Sequence, residues 1–64
     1  MNPDGFTLRV MVGGVTRLAE TMTFDRWRRL APEIEPMIPT LEWGGPVAFL
    51  ADVDGVTHIL GRWR

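Results

Sequence analysis

A chain of 64 residues is one small domain near the lower size limit for a core that stands alone, and it holds no cysteine to staple itself. Disulfides and cysteine-held zinc are excluded, and one histidine, His58, is too few for a histidine-rich metal site. Seven arginines, no lysine and eight carboxylates give a formal charge of −1, which argues against generic phosphate-backbone binding. A core this small is then completed by unusually good packing, by self-association or by a protein partner.

The stretch Met1-Asn2-Pro3-Asp4-Gly5 has no basic leader, and the longest apolar run is Val47 to Ala51. Neither a signal peptide nor a membrane span is expected, and the cytoplasm is the expected location. An all-arginine basic set beside abundant Gly, Ala, Val and Trp is what GC-rich coding tends to produce, as in a high-GC bacterium or one of its phages.

In chain order, Phe6, Leu8, Val10 and Val12 alternate with Thr7, Arg9 and Met11, which predicts a strand with one apolar face. Gly13-Gly14 offers a tight turn into a second strand from about Val15 to Met22. A two-residue turn sets Arg17 opposite Val10. A three-residue bulged turn sets Leu18 there and Met22 opposite Phe6, and is preferred because it keeps the apolar sides together.

Thr23 is placed to cap a helix from Phe24, with Asp25 at its positive end. Phe24, Trp27, Leu30 and Ala31 fall within an arc of about 120° at 100° per residue. Arg26, Arg28 and Arg29 occupy the rest. Pro32 is expected to end the helix, and Pro36 and Pro39 make a turn-rich connector that Ile34 and Ile38 pin to the core. Thr40 to Trp43 reads as a short strand, broken by Gly44-Gly45 and Pro46. Two further strands, Val47 to Val53 and Val56 to Arg62, flank Asp54-Gly55. The expected fold is a single α+β domain over residues 1–64, ββα(β)ββ, with three to five mostly antiparallel strands and the helix on one face. Strand order is left open.

The stretch VAFLADVDGVTHIL, Val47 to Leu60, resembles the first motif of the haloacid-dehalogenase superfamily, in which an apolar strand delivers Asp-x-Asp. The resemblance implies Asp52 as a phosphate-accepting nucleophile, Asp54 as acid/base and magnesium beside them. It covers fourteen residues, and the ten residues after Asp54 leave no place for the rest of such a site. Asp-Gly between two β-rich runs is also a strong two-residue hairpin signal, and that reading is preferred. It makes both aspartates solvated turn residues, and no catalytic residue, metal or cofactor is expected.

Pairing Val53 with Val56 sets Asp52 opposite Thr57, Ala51 opposite His58, Leu50 opposite Ile59 and Phe49 opposite Leu60. One face then carries Val47, Phe49, Ala51, Val53, Val56 and Leu60, and the other Ala48, Leu50, Ile59 and Trp63. An exposed second face should be polar. Either the connector and Thr40–Trp43 fold over it, or it meets another chain.

Phe24-Asp25-Arg26-Trp27-Arg28-Arg29-Leu30 invites a stacking reading with nucleic acid, but the wheel puts Trp27 in the apolar arc. The expected function is a non-enzymatic protein-binding module that covers a larger partner, such as a small phage-encoded, anti-CRISPR-like inhibitor of a host complex. Two alternatives are an accessory subunit of a bacterial enzyme complex and a nucleic-acid binder using Arg26, Arg28 and Arg29. Candidate partner-binding residues are those three arginines with Trp43, Leu50, Ile59 and Trp63.

Overall fold

Alternation in the first strand, β1 (Gly5–Val12), decides the architecture: Phe6, Leu8, Val10 and Val12 are buried, and the residues between them face the other way. The computed structural model describes residues 5–64, so the leader reading of residues 1–4 lies outside the described residues. Strand β2 (Val15–Thr23), helix α1 (Phe24–Ile34), a 3-10 turn (Ile38–Thr40), strand β3 (Val47–Val53) and strand β4 (Val56–Trp63) follow. The four strands form one antiparallel sheet in the order β2-β1-β3-β4. The helix lies on one face, as the α+β reading expects.

Both hairpins close on two-residue turns with positive φ at both central residues, Gly13 and Gly14 in one and Asp54 and Gly55 in the other. That is the type I′ geometry whose twist suits paired strands. Each hairpin also holds a bulge in its outer strand. Val10 pairs with Leu18 and Met11 with Thr16, so Arg17 is the extra residue. The preferred partners, Leu18 opposite Val10 and Met22 opposite Phe6, are present, but the added residue sits in the strand and not in the turn.

In the second hairpin Phe49 pairs with Gly61 and Leu50 with Ile59, so Leu60 is extra. The expected pairs from Val53–Val56 to Leu50–Ile59 hold, whereas Phe49 does not face Leu60. Past the bulge every side chain changes face, which moves Trp63 from the second face to the helix side. There its indole packs edge-on against Phe49 at 5.6 Å.

Thr23 Oγ1 accepts the Arg26 backbone N–H at 3.1 Å and caps α1 as expected. The helix does not stop at Pro32 but runs to Ile34. A late proline leaves one carbonyl, that of Arg28, without its helical donor, while continuing the turn brings Ile34 onto the core after Trp27 and Leu30. Packing outweighs the local penalty.

Ile38, only 1% exposed, is the most deeply buried large side chain. Thr40–Trp43 is not a strand: Thr40 Oγ1 donates to the Met37 carbonyl at 2.6 Å, and Trp43 Nε1 donates to the Ile38 carbonyl at 2.8 Å. The loop satisfies itself locally and lays Ile38 and Trp43 on the helix-side core. At the end of the sheet the same loop also shares a groove with Met11, Ala48 and Arg62 of the second face. On the helix side a row of rings crosses the sheet. Phe24 stacks on Phe6 at 5.1 Å, Trp27 meets Phe6 at 6.4 Å and Phe49 at 6.2 Å, and Trp63 closes the row.

Candidate functional site

Because the strands are antiparallel, the end of β1, the start of β3 and the end of β4 meet at one end of the sheet, where Val12 pairs with Val47 and Val47 with Trp63. The Gly13 N–H donates to the Pro46 carbonyl at 2.9 Å and ties the first turn to the approach of β3. The loop after the 3-10 turn folds across this end. Between them lies an open groove of about 960 Å³, walled by Trp43, Trp63, Pro39 and Leu41 and flanked by Arg62 and Arg64. Glu42 is the one carboxylate in its lining. Arg62 and Arg64 are exposed, and neither forms an ion pair with the other described residues.

Two expected partner-binding residues, Trp43 and Trp63, are thus brought together, far apart in sequence though they are. The groove's arginines, Arg62 and Arg64, are not among the expected binding residues. Their signal was Arg62-Trp63-Arg64, since tryptophan and arginine are the side chains most enriched where interfaces hold their energy.

The second pair, Leu50 and Ile59, lies on the sheet face away from the helix, directly opposite one another. Leu50 is only 7% exposed and stands between Arg9 on β1 and Ile59 on β4, whereas Ile59 is 54% exposed.

Asp52 belongs to the same face and is not a solvated turn residue, which corrects the sequence reading. Arg9 Nε donates to its Oδ2 at 3.1 Å and Arg9 Nη2 to its Oδ1 at 3.4 Å, while Thr57 Oγ1 donates to Oδ1 at 2.6 Å. Asp54 is the positive-φ turn residue. The Asp-x-Asp pair is therefore split between an ion pair on the sheet and the hairpin tip. His58 pairs with Ala51 on the opposite face from Asp52 and is exposed. Among the described residues no three of His, Asp and Glu gather as metal ligands, and no helix is long and apolar enough to cross a membrane.

The Thr57 hydroxyl, and then the Arg9 guanidinium, hold the Asp52 carboxyl below the usual carboxylate range. A folded-state pKa that is depressed adds stability that is complete above the unfolded range of about 3.9 and is lost as pH falls through the folded value. Urea midpoints are therefore expected to fall more steeply below about pH 4 for the wild type than for Asp52→Asn, which has no carboxyl to protonate. Parallel curves would show the network contributes nothing to acid stability.

The third group is the helix trio. Arg29 Nη2 reaches Asp25 Oδ2 at 2.8 Å and Arg28 Nη2 reaches Asp25 Oδ1 at 3.9 Å, both exposed, while Arg26 has no ion pair among the described residues. Trp27 is in the aromatic row, so it is no platform for a base. The trio stands apart from both the groove and the outer face.

No protein-family model, no curated protein and no solved structure matches the chain.

Proposed function

We propose that the protein is a non-enzymatic protein-binding module, and that the groove between Trp43 and Trp63 takes an extended segment of a larger partner bearing bulky apolar side chains and carboxylates. The meeting of two indoles and Arg64 at one groove, with Arg62 at its rim projecting from the other face of the sheet, carries this reading. Indoles give large, stiff apolar contact, and unpaired guanidinium groups recognise carboxylates in two-pronged fashion. The aspartates an enzyme reading would use are otherwise engaged, Asp52 by Arg9 and Thr57 and Asp54 by its turn.

Two partner classes fit. One is a host complex covered by a small phage-encoded inhibitor, anti-CRISPR-like in style. The other is the main chain of a bacterial enzyme to which this domain is an accessory subunit. In both the domain acts in the cytoplasm by occupying a surface.

Fluorescence anisotropy with a labelled peptide alternating Leu or Phe with Asp or Glu tests the reading. The acidic peptide is expected to bind at least about tenfold tighter than a Lys-substituted counterpart, a difference of about 1.4 kcal/mol. Replacing Arg62 and Arg64 together by Glu, at exposed positions, is expected to abolish that preference without changing the melting curve. Equal binding of both peptides, or binding indifferent to the double substitution, overturns the proposal.

A further inference from the structure

Both indoles of the groove are held in place by the chain itself. Trp43 is fixed by its Nε1 bond to the Ile38 carbonyl. Trp63 is fixed by its edge contact with Phe49 and by lying over Gly61, which has no Cβ to displace it. The two rings line one groove and make no ring contact with each other, so the space between them is open. Their polar atoms differ. The Trp43 N–H is engaged by Ile38, whereas no described residue accepts the Trp63 N–H. Among the described residues no unpartnered side-chain nitrogen or oxygen is buried, so Trp63 Nε1 is a solvent-accessible donor.

The backbone around the groove offers a ligand little to pair with. Strand β1 lies between β2 and β3, and β3 between β1 and β4, so neither has a free edge. Pro46 has no N–H, and its carbonyl already accepts from Gly13. Strand β4 has an open edge, but its bulge at Leu60 interrupts the ladder just before the groove. Adding a strand is therefore the poorer way to bind here, and ring faces with single donors are the better one.

We infer that the segment this groove takes, on the function proposed for it, is a left-handed polyproline-II helix carrying proline. Such a helix has no internal hydrogen bonds and repeats every third residue, about 9 Å along its axis. It sets proline rings against aromatic walls and leaves its carbonyls free for a donor such as Trp63 Nε1. Its shape exists before binding, so two fixed indoles and a stiff ligand lose little freedom on meeting. Charge selects what flanks the prolines. Arg64 at the groove and Arg62 at its rim outnumber Glu42, which favours neighbouring carboxylates. A methylated ammonium could also lie against two indoles, but the same arginines repel it.

Fluorescence anisotropy with two labelled acidic peptides of equal charge tests the inference. One has prolines at positions i and i+3, and the other has alanine in their place. The proline peptide is expected to bind at least about fivefold tighter, because less of its freedom is lost. Trp63→Phe keeps a ring but removes the donor, and is expected to weaken the proline peptide by about fivefold, the worth of one hydrogen bond. Circular dichroism checks that this variant is folded, and the peptide comparison itself needs no change to the protein. Equal affinity for the two peptides overturns the inference, as does full affinity in folded Trp63→Phe. The groove's carboxylate preference is read separately, from acidic against Lys-substituted peptides. Its persistence without a proline preference sinks only this inference, and a proline preference without it sinks only the carboxylate reading. Binding of neither acidic peptide overturns both.

Discussion

Phe49→Ala is expected to leave most of the chain unfolded at physiological temperature. Phe49 is 6% exposed, with Trp27 against one side of its ring and Trp63 against another. Truncating a buried phenylalanine costs about 3–5 kcal/mol, and a domain of this size has only about 3–10 kcal/mol in total. Removing the ring also releases Trp63, because Phe49 is the ring it rests on. Phe49→Leu keeps most of the apolar volume and should remain folded with a lower midpoint. Urea denaturation followed by far-ultraviolet circular dichroism and by tryptophan emission checks both variants. A loss below about 1 kcal/mol for the alanine variant would mean that the ring row is not the centre of the core.

Gly61→Val is the second large effect, and it acts on the groove as well as on stability. Trp63 folds back over Gly61, so a Cβ added there would lie inside the indole. The ring must swing away, giving up its edge contact with Phe49 and its place in the groove wall. Overpacking of this kind costs about 1–3 kcal/mol, and the lost aromatic contact about 0.5–1.5 kcal/mol more. Tryptophan emission should shift to the red and affinity for the acidic peptide should fall. The same substitution in a Trp63→Ala background should be far milder, since the obstacle is gone. Equal costs in the two backgrounds would place the effect elsewhere.

The parts of this fold readable from the chain are those set by near neighbours. The alternation from Phe6 to Val12, the two glycine-bearing turns and the Thr23 cap each depend on a few adjacent residues, and each stands where the periodicity predicts. The pairing of Leu50 with Ile59 follows from the turn alone. Features decided by distant contacts read differently. Pro32 stays helical because Ile34 gains a place in the core, and Thr40–Trp43 forms no strand because the Trp43 indole finds the Ile38 carbonyl.

The bulge at Leu60 had a local signal, a glycine inside a strand two residues before a tryptophan, and with it Trp63 would have been assigned to the helix side. The ion pair joining Arg9 to Asp52 had none, because 43 positions separate its members. In the candidate site, each tryptophan of the groove is a binding candidate on its own from the sequence. Only the antiparallel meeting of strand ends shows that they share a wall.

The strand order carries a kinetic consequence. β1–β2 and β3–β4 are each local hairpins, of the kind that form within about 1–10 μs, and the ladder between β1 and β3 is the one sheet pairing between sequence-distant strands. Closing it brings Val12 to Val47 across the whole helix and connector, at an entropic cost that the pairing itself must offset. The folding barrier therefore lies at the joining of two nearly finished halves. Changes along the β1–β3 seam and at either turn tip should both slow folding, because the hairpins are already formed when the seam closes.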